Sequence, residues 1–380
     1  MRSFIPLLLL AACSAGGEAA QRNRDSAAQP GSARPFQVKP IAAFDEPWAM
    51  TFLPGPGFRA LITEKKGRLK LLWNNIGRVG DVAGAPKVDY GGQGGLGDVV
   101  LHPNFERNRL VDLSWVEAGQ GSNRGAVVGR ARFLEGSGGP RLEGLQVIWR
   151  QSPKMSGKGH YGHRIAFGPD GKLYISNGDR QEFTPAQDMS GNLGKIVRLN
   201  DDGTLPSDNP FASRGGVTAQ IWSLGHRNPL GIAFDGSGRL WTAEMGPKGG
   251  DELNLVQRGK NYGYPIVSDG DHYDGRSIPD HRTRPEFEAP KVVWTPVISP
   301  GNMIFYSGSA FPAWRGDILV AGLSSKALIR VDVNGGNARE AERFEMGKRI
   351  REVEQGPGGG LYLLEDGEGG RLLHLARPGR

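Results

Sequence analysis

The residues best suited to chemistry fall in short clusters between long stretches of plain apolar and turn sequence. In His160-Tyr161-Gly162-His163-Arg164, imidazoles precede an apolar run, and Asp179 closes the next run, 19 positions after His160. If the intervening residues form a hairpin, its open ends meet and His160 lies beside Asp179. A carboxylate that orients an imidazole makes a general base. The same pair also describes a hydrogen-bonded structural histidine, and the two residues alone do not decide. Gly225-His226-Arg227-Asn228-Pro229 occupies the equivalent place before the following apolar run. Arg227 is a permanent cation with planar donors, suited to polarising a carbonyl oxygen or holding a carboxylate. Residues 244–252 (EMGPKGGDE) and 261–265 (NYGYP) gather carboxylates and carbonyls in Gly-rich loops, a donor set for a hard cation such as calcium, without EF-hand spacing. Arg349 and Arg351 alternate, so on a strand they point the same way. They make either a grip on a polyanion or a solvated basic edge.

Such side chains need a scaffold, and the chain supplies one by repetition. IAFGPDGKLYISNGD from Ile165 is an apolar strand, a Gly-Pro-Asp-Gly turn and a second apolar strand ending in a carboxylate. IAFDGSGRLWTAEMG from Ile232 and VEQGPGGGLYLLEDG from Val353 repeat it; looser copies start at Met50, Val99 and Met303. The six copies start 49, 66, 67, 71 and 50 residues apart. With glycine at 59 of 380 positions and almost no helical periodicity, the reading is all-β. A hairpin cannot bury both its faces alone, and packing about four strands per blade radially around an axis solves this. A six-bladed β-propeller is expected over residues 36–380, with functional side chains on the loops at one end of its channel; a pair of packed sheets is the competing architecture. The Gly92-Gln93-Gly94-Gly95-Leu96-Gly97 run satisfies G-x-G-x-x-G but leads into strand-like Asp98-Val99-Val100-Leu101, so no helix meets a dinucleotide there.

The start of the chain reads as an export signal. Arg2 precedes an apolar run at 4–12 too short to remain as a membrane-spanning helix. Residues 10–13 (LAAC) read as a lipobox with cleavage before Cys13. Cys13 is the chain's one cysteine, without a disulfide partner, and acylation gives it a use. Residues 1–12 are thus expected as signal peptide and 13–35 as a polar tether. The protein is expected as a lipoprotein of the outer membrane facing the periplasm, since Ser14 rather than Asp follows the cysteine. The net charge of +7 is scattered among acidic residues, and an exported protein rarely meets DNA, so nucleic acid is not a partner.

Taken in order, PWAMTFLP, GGQGGLGDVVLHPNF, the H-x-x-x-RIAFGPDGKLYI-x-x-GD run, GHRNPLGIAF, EMGPKGGDELN with GKNYGYP, and RIREV resemble the soluble quinoprotein glucose dehydrogenase and aldose sugar dehydrogenase family. The resemblance runs from about Pro47 to the last strand and implies a six-bladed propeller that uses pyrroloquinoline quinone (PQQ) and calcium to oxidise aldoses at C1, passing electrons to a quinone or cytochrome. It implies that His160 is the base, that Asp179 orients it, and that Arg227 stabilises charge developing on the quinone oxygen. Gln93, Asn228, Arg349 and Arg351 match cofactor-binding positions, and Tyr273 a pocket tyrosine. Gly246 and Pro247 match carbonyl ligands of the cofactor's calcium, while Glu252, Tyr262 and Asp251 match a second calcium site. Two positions depart from the pattern: Lys326 is displaced from the place of a cofactor-gripping lysine, and His163 replaces a glycine beside the base. A non-catalytic surface propeller and a calcium-dependent lactonase are the rival readings, and neither has an obvious use for Arg349 and Arg351.

Overall fold

At Gly168-Pro169-Asp170-Gly171 the chain reverses within four residues. The Gly168 N–H donates to Lys172 O at 2.9 Å, the Asp170 carboxylate accepts the Lys172 N–H at 3.0 Å, and Gly171 takes φ +71°, a region glycine enters without strain. The turn joins Gly162–Phe167 to Leu173–Asn177, and the same device recurs around the molecule. The computed structural model describes residues 34–73 and 77–378; Cys13 and nearly all of the expected tether lie outside the described residues.

Within them are six antiparallel four-stranded sheets. Their first strands, Pro47–Phe52, Leu96–Leu101, Gly162–Phe167, Pro229–Phe234, Pro300–Phe305 and Ile350–Gln355, pack side by side in a ring around the axis. Each lies in one of the six sequence repeats, so the repeat is the inner hairpin of a blade and the architecture is a six-bladed β-propeller. Gln37–Asp45 pairs antiparallel with Glu368–Ala376, so the start of the domain supplies the outermost strand of the sixth blade and closes the ring. The Gly92–Gly97 run opens the strand Leu96–Leu101, as expected of a segment with no dinucleotide role. Among the described residues no helix is long and apolar enough to cross a membrane.

Blades adhere through apolar side chains. Trp48, Leu61 and Leu71 of the first meet Leu96, Val99, Leu113 and Trp115 of the second, all buried. Truncating one such leucine to alanine costs about 2–5 kcal/mol. The axis is closed differently. The buried guanidinium of Arg164, in the third blade, donates to Asp98 (3.2 Å), Leu230 O (3.0 Å), Gly301 O (2.6 Å) and Glu352 (2.7 Å), and lies 3.9 Å from the Trp48 ring centre. One side chain thereby touches all six blades. It forms a plug in the channel, on one side of which lie the clusters singled out above.

Candidate active site

The hairpin brings its open ends together as the spacing requires. The Gly178 N–H donates to Tyr161 O and the Arg180 N–H to His160 O, both at 3.3 Å. The approach is so close that a Cβ on Gly178 would stand 2.1 Å from His160 O. Asp179 is fully buried and His160 nearly so, with Nδ1 of His160 2.6 Å from Oδ1 of Asp179. A carboxylate accepts, so Nδ1 carries the proton and Nε2 keeps its lone pair. The other Asp179 interactions, with the N–H groups of Gln181 (3.0 Å) and Phe183 (3.3 Å), fix the carboxylate itself.

Neighbouring blades complete the set. The Asp179 N–H donates to Arg227 O at 2.8 Å, which draws in the fourth blade. Asn228 Oδ1 accepts the Gly162 N–H at 3.1 Å, and Gln93 Oε1 accepts the His160 N–H at 2.8 Å. The Arg227 guanidinium donates through Nη1 to Met245 O (3.0 Å) and Gly246 O (2.5 Å), and reaches the Tyr273 hydroxyl at 3.5 Å. Its Nε is buried without a hydrogen-bond partner. Glu244 holds the Arg227 backbone N–H at 2.7 Å and His226 at 2.9 Å.

Two cavities share the segment 160–163. One, of about 220 Å³, is walled by Trp48, Tyr161, His163 and Met245, with Lys65, Arg349 and Arg351 facing Glu46 and Asp366. Arg349 and Arg351 both donate to Asp366, at 2.8 and 2.9 Å, so they point the same way as the alternation implied. The other, of about 240 Å³, is lined by His160, Arg227 and Pro247 with Phe183, Tyr264, His272 and Tyr273.

Burial is the largest influence on His160 and lowers its pKa; Asp179 pulls it up, Arg227 and Arg180 push it down more weakly, and the net direction is down. Asp179 thus favours the imidazolium, as an orienting carboxylate does, but burial outweighs it. His163 does not crowd the site. It is stacked on Trp48, centroids 4.9 Å apart, with Nδ1 2.7 Å from Ser114 Oγ, in a space that Gly97 leaves open. Burial, then Arg164, lowers its pKa to about 3. Lys326 is exposed and lines neither cavity.

The proposed calcium ligands divide. Gly246 and Pro247 lie on a tight turn, where a Cβ on Gly246 would stand 2.1 Å from Gly250 O, and their carbonyls are the hard neutral donors calcium accepts. Asp251 staples this turn: its carboxylate accepts the N–H groups of Gly246 (2.8 Å), Ile298 (2.8 Å) and Ser299 (2.6 Å). Glu252 and Tyr262 are given to a second calcium by the resemblance, and each already has another partner, as Gly246 O has in Arg227. The Tyr262 carbonyl is already taken by Nε2 of His281, whose Nδ1 lies 3.1 Å from Asp269. Burial disfavours a charged ring there, but Asp269 and Glu252 prevail and raise His281 to about 9.

Lys65, Glu46, Asp366, Trp48, Phe183 and His272 were not singled out from the sequence. A signal for some of them exists in the repeat register. Pro47 pairs with Glu64, Gly162 with Asn177, Pro229 with Glu244, Pro300 with Gly322 and Ile350 with Glu365. The residues one step on are Lys65, Gly178, Met245, Leu323 and Asp366, and all but Gly178 line the first cavity.

Comparison with known proteins agrees with this arrangement. Residues 44–374 match the family model described as Glucose / Sorbosone dehydrogenase. The aldose sugar dehydrogenase YliI of Escherichia coli is 39% identical over 337 residues, covering 87% of this chain and 90% of that protein. The crystal structure of the soluble E. coli aldose sugar dehydrogenase in its apo-form superposes with a TM-score of 0.84 at 38% identity, over 90% of this chain and 99% of that one. The PQQ-bound aldose sugar dehydrogenase of Streptomyces coelicolor gives 0.72 at 28% identity, over 91% and 99%.

Proposed function

Because the chain belongs to the glucose/sorbosone dehydrogenase family, we propose that it is a PQQ- and calcium-dependent dehydrogenase that oxidises aldoses at C1 to the lactone. One observation supports this most: His160, clamped by Asp179, leaves Nε2 without a partner at a cavity that the permanent cation Arg227 also lines. Gln93, Asn228, Arg349, Arg351 and Tyr273 are assigned to the cofactor, and the Gly246 and Pro247 carbonyls to its calcium. PQQ bound there would supply a two-electron, hydride-accepting quinone.

The chain's own residues supply the rest. His160 Nε2 takes the proton of the C1 hydroxyl, and Asp179 holds the ring in the only tautomer that can do so. Arg227, fixed by Glu244 and by the carbonyls of Met245 and Gly246, presents positive charge where an oxyanion develops. The aromatic walls of the second cavity give a sugar ring apolar faces to lie against. Electrons then leave to a quinone or cytochrome acceptor.

The test is to add PQQ and calcium to cofactor-free protein and screen aldoses with an artificial electron acceptor. Aldose-dependent reduction is expected. Lactone hydrolysis without quinone, or no reduction with any aldose, would overturn the reading. We place the protein in the cell envelope, anchored through Cys13, on the strength of residues 10–13 alone. Cys13→Ser should then fractionate away from membranes.

A further inference from the structure

We propose that Lys65 is a third cationic anchor for the cofactor, holding one of its carboxylates alongside Arg349 and Arg351. This rests on the quinoprotein reading above. The position follows from the fold: Lys65 stands one step beyond the Pro47–Glu64 pair, the register that puts Met245, Leu323 and Asp366 on the same cavity wall. Its backbone is fixed on both sides, with its N–H donating to Glu46 O at 3.0 Å and its carbonyl accepting from Leu96 at 2.9 Å.

The side chain is 14% exposed, and its ammonium donates to Gly92 O at 3.0 Å. The nearest carboxylate oxygen, on Glu46, is 3.6 Å away, longer than a hydrogen bond, and that carboxylate already accepts the Tyr90 hydroxyl at 2.5 Å. An ammonium has three donors, so Lys65 keeps donor capacity for a ligand. The charge balance depends on it. Without Lys65 the wall sets two guanidiniums against two carboxylates, Glu46 and Asp366, for no net charge; with it the wall is positive by one. A tricarboxylate needs that excess. Lys326, displaced in sequence from the place of the family's cofactor lysine, faces solvent.

The rival role is structural, because the bond to Gly92 also steadies Gln93 and hence the His160 backbone. Calcium-loaded protein titrated with PQQ and with its trimethyl ester, followed by intrinsic fluorescence, separates the two. Lys65→Met and Lys65→Gln should weaken PQQ binding about 10–100-fold, the worth of one hydrogen bond to a charged group. They should weaken ester binding far less; glutamine retains a donor for Gly92 O. Lys65→Arg should bind PQQ within about threefold of wild type by keeping the charge, and Lys326→Met should match wild type. PQQ affinity unchanged in both Lys65→Met and Lys65→Gln, or equal loss of PQQ and ester, overturns the proposal. Wild-type protein that binds no PQQ overturns the quinoprotein reading instead.

Discussion

The two cavities beside residues 160–163 are built by different means. The first is made by residues at strand ends, one step beyond a pairing register shared by five blades, and its walls are charged. The second is made largely by loops, with Phe183 on one and Tyr264, His272 and Tyr273 on another; Tyr273 is 73% exposed. The residues of the first cavity follow directly on paired strand ends, so the sheet ladders set where they stand. Loops are the part of a fold that varies and moves. The division suits a cofactor gripped by its charges on the strand-built side and a choice among sugars on the loop-built side, where Pro247 and Tyr273 still meet the cofactor and its calcium, with His160 at the border.

That division predicts opposite failures. His160→Ala should lower turnover by about 10²–10⁴-fold, the usual worth of a positioned base, while PQQ affinity stays within about threefold. Stopped-flow turnover and a cofactor titration on the same preparation measure both, and a parallel fall would mean that the border is wrongly drawn. Arg351→Ala should do the reverse. It should weaken PQQ binding about 10–100-fold, yet turnover at saturating PQQ should stay close to wild type. Loss of turnover that saturating PQQ does not restore would place Arg351 in the chemistry.

The same contrast explains what the sequence disclosed. Short apolar runs and the repeated turn made the six blades legible, because such runs recurring between Gly, Pro and Asp turns have few other outcomes. The nearness of His160 to Asp179 was legible from hairpin geometry and the common direction of Arg349 and Arg351 from alternation, while the roles given to these residues and to Arg227 came from the resemblance. Phe183 and His272 were not, since nothing local says which loop residue a distant loop will face. The protonation of His160 was also out of reach: Asp179 is its neighbour in sequence logic, but burial and the guanidiniums of Arg180 and Arg227 decide the direction, and these are three-dimensional facts.

Protonation gives a sharper probe of the border. Only neutral imidazole accepts a proton, and burial, assisted by Arg227 and Arg180, keeps His160 neutral below its ordinary pKa of about 6.5. The acid limb of kcat against pH should therefore lie below 6.5. Asp179→Asn removes the group that favours the imidazolium, so whatever activity remains should show its limb at still lower pH. A limb that moves upward in Asp179→Asn would mean that another group titrates.

His163 tests the strand-built side, where the expected effect is on stability rather than on chemistry. Its imidazole is buried against Trp48 and its pKa is lowered to about 3, chiefly by burial and then by Arg164. In the unfolded chain it titrates near 6.5. The unfolded state therefore binds a proton that the folded state refuses anywhere between those values. Above pH 6.5 both states are neutral at this residue and it adds no pH dependence. As pH falls below 6.5 the protein loses stability through this group, at up to about 1.4 kcal/mol per pH unit, and the loss levels off near the folded value. His163→Gln cannot titrate. The variant should be less stable than wild type at pH 7, since Ser114 and Trp48 lose a fitted partner, by about 1–3 kcal/mol. The gap should narrow steadily as pH is lowered, and urea midpoints from pH 7 to 4 measure it. The limb of kcat against pH should persist in His163→Gln, because His160 sets it. Parallel stability curves for the two proteins would show that His163 accepts its proton in the folded state, and the strand-built wall would then be more open to water than its packing implies.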